Sequence, residues 1–209
     1  ATELDGSLGR MGLDHVDLLY AIATPTAPPV EVVVEEVAGL IRSGRARAWG
    51  TGMWSGEQLH AALDVCDATG APYPIAAQMA CSLADHGQSA DPSINAALER
   101  GGIGLVAAHV LGGGTLTGKY TSGSAGRARD DESTAAARGK QIGVELAALA
   151  VDWDVPTAHL AFAYAFDHPH LATVLFGATS ADQVRANVAA YATYESLDDT
   201  QRAAIAALA

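Results

Sequence analysis

Short apolar runs alternate with longer stretches in which apolar residues recur at helical spacing, along the whole 209-residue chain. This alternation is the sequence signature of βα units built around a parallel sheet. ELDGSLGRMGL (3–13) predicts a helix and HVDLLYAI (15–22) a buried strand, with the turn TPTAPP after it. VEVVVEEVAGLIRSG (30–44) is an amphipathic helix stopped near Gly44, and ARAWGTGM (46–53) is the next strand. Ser55 is placed to cap the following helix, and Gln58 three residues on completes a capping box. YPIAAQMAC (73–81) is a third strand, and DPSINAALERGG (91–102) a helix ended by glycine. GIGLVAAHV (102–110) is a fourth strand and runs into the glycine-rich LGGGTLTGKY (111–120). The polar stretch 122–140 reads as a surface loop. Helices follow over 141–155 and 157–169, then a fifth strand at ATVLFGA (172–178) and a helix over 179–191. SLDDTQRAAIAAL (196–208) closes the chain with Ser196 as the expected cap.

The expected fold is therefore α/β: about five parallel strands with flanking helices, in a single domain over 1–209. Alternation this regular suggests a (β/α)₈ barrel, but a barrel needs eight strands. Five units make an incomplete TIM-type barrel or an open sheet.

Composition narrows the function classes. Lys and Arg total 12 against 24 Asp and Glu, a net charge of −12. That balance excludes electrostatic capture of nucleic acid or of an anionic membrane surface. No apolar run reaches the length of a membrane span, and no signal peptide opens the chain. Cys66 and Cys81 fit neither a disulfide framework nor a zinc set, so no metal is expected and the default setting is the reducing cytoplasm. The chain begins at Ala1 rather than methionine, as a processed or trimmed product would.

Glycine runs such as 112–114 strip side chains from a loop, so that backbone N–H groups can face an anion with Lys119 close by. The plainer reading is a turn tolerated for packing. His109 ends the fourth strand, where barrel chemistry is placed, but a satisfied structural histidine is the commoner case. Asp85 and His86 are either an acid/base pair or a solvated loop. Cys81 is either a nucleophile near His109 or His86, or a small buried hydrophobe. His168 and His170 flank Pro169 as a metal clip or, more simply, a turn and cap. Trp49, Trp54 and Trp153 read as packing residues, and the charges of EVVVEE and RARDDE as solvated faces.

Five segments, taken in order, carry a resemblance. SLGRMGLDHVDLLY, AWGTGMWSGEQL, AAQMACSLADH, LGGGTLTGKY and FGATSADQVRANV resemble consecutive segments of the aldo/keto reductase family. The likeness is to the branch that includes potassium-channel β subunits, and it covers residues 7 to 208. Each motif is weak alone; five at family spacing are strong. The resemblance implies an NADP(H)-binding (β/α)₈ barrel whose strands four to eight are these five units, and carbonyl reduction by an Asp, Tyr, Lys and His tetrad. The segments carrying Asp, Tyr and Lys then have no counterpart in the 209 residues, and the His position falls on Ile22. The family's Ser (often Ser-Asn) after strand five aligns with Gly52-Met53. Its carboxamide-binding Asn aligns with Ala77, although Gln78 matches, and the Tyr that stacks on the nicotinamide aligns with Cys81. Drift would not be expected to pick out one pocket so consistently.

The other end of the cofactor site is better kept. Leu111, Gly113, Gly114, Leu116, Thr117, Gly118 and Lys119 match the family's pyrophosphate loop, Gln183 and Asn187 match its adenosine contacts, and Ser180 fits the helix start, where an N-terminus favours anions. Thr179 stands where the family often has Arg or Lys, and His109-Val110 where it has Ser-Pro. The resemblance thus implies a reductase by descent that is inactive as a reductase alone, with NADP(H) held through its pyrophosphate and adenosine half only. A pseudoenzyme or interaction subunit with residual nucleotide binding is a second expectation. A cyclase, isomerase or lyase using His109, Asp85, His86 and Cys81 is a third. Missing strands leave open sheet edges, so a homo-oligomer or a partner covering them is expected.

Overall fold

The computed structural model describes residues 2–122 and 133–209. Its strands are β1 (Val16–Ile22), β2 (Ala46–Gly52), β3 (Ala76–Ala80), β4 (Gly104–Ala108) and β5 (Leu171–Val174). They lie in chain order across one open parallel sheet, with β1 and β5 at its edges. Chain order is what successive right-handed βα units give, and it is the order of consecutive barrel strands. The helices are α1 (Thr2–Met11), α2 (Val30–Arg42), α3 (Gly56–Thr69), α4 (Pro92–Gly101), α5 (Thr134–Asp152), α6 (Thr157–Phe166), α7 (Ala181–Ser196) and α8 (Asp199–Ala206).

The chain forms two compact units, Ala1–Met79 with Ala90–Leu105, and Ala80–Ser89 with Val106–Ala209. In the first, β1 and β2 pair from Val16↔Ala46 to Ile22↔Gly52, and β2 continues onto β3 from Gly50↔Ala76 to Gly52↔Gln78. The Ser55–Gln58 capping box forms as expected and starts α3, and Gly70 stops it in the left-handed region. Asp91 caps α4 through the Ser93 and Ile94 N–H groups. Trp49 and Trp54 are buried edge to face at 6.1 Å, with Trp49 Nε1 donating to the Pro72 carbonyl at 2.7 Å. Both are packing residues, and Glu31, Glu35 and Glu36 on α2 are exposed.

In the second unit α6 buries His159, Leu160, Ala161, Phe162, Ala163 and Ala165. An Ala-rich helix apolar on most sides belongs at the centre of a layer, and its core cluster joins Leu83, Leu116, Leu146, Leu160 and Ile205. Two sequence expectations are corrected here. Helix α5 begins at Thr134, capped by Ser133, so 134–140 is helical rather than loop. The alanines of AAARGK propagate helix once a cap starts it. Of the charges in RARDDE (127–132), all lie outside the described residues. The α8 cap is Asp198, which forms a capping box with Gln201. Ser196 instead ends α7, its hydroxyl donating to the Thr193 carbonyl at 2.6 Å.

Candidate functional site

At the C-terminal ends of β1 and β2, two departures from the expected polar pocket fit each other. Ile22 lies directly opposite Gly52 in the parallel register. A Cβ added at Gly52 would come within 3.0 Å of the Ile22 side chain, closer than real Cβ contacts. The Ile22 δ-methyl therefore fills the space that a side chain at 52 would take. Met53, at φ 61, continues the strand end through its N–H to the Gln78 carbonyl at 2.9 Å. A left-handed methionine is strained, and the hydrogen bond holds it there. Ala77 is buried in β3, while the Gln78 side chain is half-buried.

In the second unit the glycine turn follows β4. His109 has φ 57, and its carbonyl accepts from Gly112 N–H at 2.7 Å. The residue is exposed at the end of β4. Gly112, Gly113, Gly114 and Gly118 all have positive φ, a course that only glycine follows without strain. The turn is braced from within. Gly114 and Leu116 N–H groups donate to Leu111 O, Thr115 Oγ1 to Gly112 O and Thr117 Oγ1 to Gly114 O. Part of the backbone donor set is thus spent internally, and the cation is what gains. Lys119 Nζ lies 2.7 Å from where a Cβ on Gly114 would sit, so the ammonium folds back across the bare glycine. It also lies 5.0 Å from the centre of the Tyr120 ring.

Helix α5 holds this turn from outside through Gly139 and Gly143. A Cβ at Gly139 would strike the Thr115 side chain, and one at Gly143 the Thr115 carbonyl. These two supports were not singled out from the sequence, although glycines four apart in a helical stretch signal close backbone approach.

At the start of α7, Ser180 Oγ accepts from Gln183 N–H at 3.2 Å, and Gln183 Oε1 accepts from Thr179 N–H at 2.7 Å. Gln183 is exposed and its carbonyl oxygen is spent on this cap. Asn187, one turn further, lines a cleft of about 500 Å³ with Phe162, Phe166, Phe176, Val188 and Tyr191.

Cys81 is buried, and burial pushes its thiol above the ordinary range, so it is held as a neutral thiol. Asp85 is exposed and closes a tight turn with Ser82, while the His86 ring packs on Tyr164 at 6.2 Å. His168 and His170 form a turn, with His170 N–H donating to His168 Nδ1 at 3.2 Å. Among the described residues there is no cluster of three metal-ligating side chains, and no helix is long and apolar enough to cross a membrane.

The aldo/keto reductase family model matches residues 1–209. The chain belongs to the aldo/keto reductase family. It is 29% identical over 202 residues to a protein named probable voltage-gated potassium channel subunit beta in rice, covering 90% of this chain and 60% of that protein. The Arabidopsis thaliana protein of the same name is 29% identical over 200 residues (88% and 58%). A putative voltage-gated potassium channel subunit beta of Schizosaccharomyces pombe is 27% identical over 199 residues (90% and 57%). The chain thus spans about 60% of the length of these curated relatives. Five parallel strands in chain order are what a contiguous part of an aldo/keto reductase barrel contains.

Proposed function

We propose that this chain is the nucleotide-holding part of an aldo/keto reductase barrel. In this reading it binds NADP(H) through the pyrophosphate and adenosine half and does not transfer hydride by itself. Family membership supplies the cofactor class. The observation that carries the rest is the contrast between two ends of strands. Lys119 lies across Gly114, in a cradle that any side chain at 114 would fill. At the other, Ile22 closes over Gly52, leaving an apolar surface where the family uses a histidine and a serine.

The two ends differ in what they can do chemically. The glycine turn offers a cation and a side-chain-free bend, which suit a diphosphate. The Ser180 cap opens a sixteen-residue helix whose positive end favours the same charge. When bound, the cofactor supplies hydride chemistry. Ile22 offers no proton and no hydrogen bond to a carbonyl, Ala77 no partner for a carboxamide, and Cys81 only a buried neutral thiol. NADPH oxidation with a panel of aldehydes and ketones tests this on the purified 209-residue chain. The proposal expects no turnover above the protein-free rate, and turnover abolished by Lys119→Ala would contradict it.

A second reading, an interaction subunit, is favoured by a specific apolar face. Val184, Val188 and Tyr191 follow i, i+4, i+7 spacing on α7 and are exposed, next to Leu175 and Phe176 beyond the edge strand β5. Self-association through this face is the form proposed, and the potassium-channel names of the relatives put such a role in keeping with the family. Sedimentation velocity tests it. A dimer dispersed by Val188→Glu supports it, and a monodisperse monomer at tens of micromolar contradicts it.

A further inference from the structure

The 209-residue chain contains two lysines, Lys119 and Lys140. One lies in the glycine turn and the other in α5, and both reach the same ring. Lys119 Nζ is 5.0 Å and Lys140 Nζ 6.0 Å from the centre of the Tyr120 ring. Cations are scarce in this chain, 12 Lys and Arg against 24 Asp and Glu. Bringing both lysines to one aromatic side chain therefore needs a structural cause.

The backbone supplies it. Gly139, the residue before Lys140, lets α5 press on the Thr115 side chain with no Cβ between them, and Gly143 does the same at the Thr115 carbonyl. Ala136, Gly139, Ile142, Gly143 and Leu146 form the buried face of α5, which fixes the helix against the turn. Lys140 thus leaves α5 from a fixed point, half-buried, and extends to Tyr120. Tyr120 in turn reaches the bend. Its hydroxyl lies 3.9 Å, and Lys119 Nζ 2.7 Å, from where a Cβ on Gly114 would sit. One bare glycine is overhung by a phenol hydroxyl and an ammonium, with a second ammonium at the same ring.

We propose that Lys140 is a second phosphate-binding cation of the glycine turn, set against Tyr120 so that both lysines and the Tyr120 hydroxyl engage one diphosphate. The inference rests on the reading of the turn as a diphosphate site and adds to it a residue from a different element. Two ammonium groups at one ring repel each other, and the face of a tyrosine attracts each only weakly. A bound diphosphate relieves that repulsion, because it brings a charged phosphate for each ammonium. The Tyr120 hydroxyl is a further donor to their oxygens, and charge-assisted bonds of this kind are the strong ones. Tyr120 is then the spacer that keeps the two cations at one anion, and α5 becomes part of the binding site as well as its support.

Isothermal titration of the 209-residue chain with inorganic pyrophosphate and with NADP⁺ tests the assignment, at about 50 mM and about 500 mM salt. Lys140→Met keeps the length and helix propensity of the side chain and removes its charge. It is expected to weaken both ligands roughly tenfold at low salt, and much less at high salt, where charge is screened. Lys140→Arg is expected to bind within about threefold of the parent. Binding by Lys140→Met within about twofold of the parent, a loss that is the same at both salt concentrations, or a loss that Lys140→Arg shares overturns the proposal. If Lys119→Ala weakens both ligands while Lys140→Met does not, the diphosphate reading stands and the role of Lys140 falls. If the parent chain binds neither ligand, both fall. Reductive ¹³C-methylation, which keeps the charge, gives a check that needs no binding variant, since the chain has two lysine side chains to observe. Both lysine signals are expected to shift on adding pyrophosphate, and a shift in one alone overturns the proposal.

Discussion

Gly143→Ala puts the packing of α5 on the glycine turn to a quantitative test. In an isolated helix this change is favourable by up to about 1 kcal/mol, because glycine gives up more backbone freedom than alanine. Here the new Cβ would sit inside van der Waals contact with the Thr115 carbonyl oxygen, and 3.6 Å from the Gly118 nitrogen. Neither neighbour is the loose end of a side chain. Thr115 is buried and tied to Gly112 by a 2.8 Å hydrogen bond, so α5 or the turn has to move. Overpacking of this kind costs roughly 1–3 kcal/mol, and with a rigid backbone neighbour the upper half of that range applies. The net effect is a loss of about 1–2 kcal/mol, or roughly 2–8 °C in Tm for a chain of this size. Gly39→Ala is the matched control. It lies inside α2, and its new Cβ would meet only the Arg42 guanidinium at 3.9 Å, so it is expected to stabilise by up to about 1 kcal/mol. Urea unfolding followed by circular dichroism reads both variants. If Gly143→Ala stabilises as much as Gly39→Ala, α5 does not press on the turn and the support assigned to Gly143 is wrong.

Three further outcomes follow from the packing and hydrogen bonds of the fold. His159 is buried, accepts from the Thr193 hydroxyl at 2.7 Å through Nδ1 and donates through Nε2 to the Ala186 carbonyl at 2.9 Å. His159→Ala is expected to lose about 2–4 kcal/mol in urea unfolding, from the cavity and the two stranded groups, and His159→Gln to recover part of it. Burial lowers the proton affinity of both His159 and His168, so each contributes stability that is complete above the ordinary histidine pKa of about 6.5. That stability declines as pH falls below this value toward the lower folded-state pKa values; a Tm unchanged between about pH 7.5 and about pH 5.5 would contradict the assignment. Ile22→His alone is expected to leave carbonyl reduction absent, since Gly52, Ala77 and Cys81 stay unchanged; NADPH-dependent turnover in that variant would contradict the reading of the pocket.

Elements with strong local signals were legible in the sequence, and contacts between distant residues were not. Apolar runs bounded by caps and glycines locate the five strands of the described residues, because burial and turn chemistry act over a few residues. The Ser55–Gln58 box needed only its own spacing. The start of α5 is hidden because the polar composition of 122–140 favours loop, while the alanine run and the Ser133 cap favour helix. Asp198 and Ser196 compete for one role two residues apart, and the Gln201 partner decides it. The fit of Ile22 over Gly52 depends on strand register, which joins positions 30 residues apart. The hydrogen bond from His168 Nε2 to the Ser89 carbonyl spans 79 residues of chain, and no local pattern encodes it. Of the glycine loop, the sequence disclosed the bend and the cation, but the Gly139 and Gly143 buttress required the packed helix.

In the function proposed above, the cofactor is held by one end only. Isothermal titration with NADP⁺ and with adenosine 2′,5′-bisphosphate, repeated on Lys119→Ala, tests it most directly. Affinities for the two ligands within about threefold of each other are expected, with a loss of roughly tenfold or more for both when the lysine cation is removed. NADP⁺ binding far more tightly than the bisphosphate, or unchanged by Lys119→Ala, would contradict it.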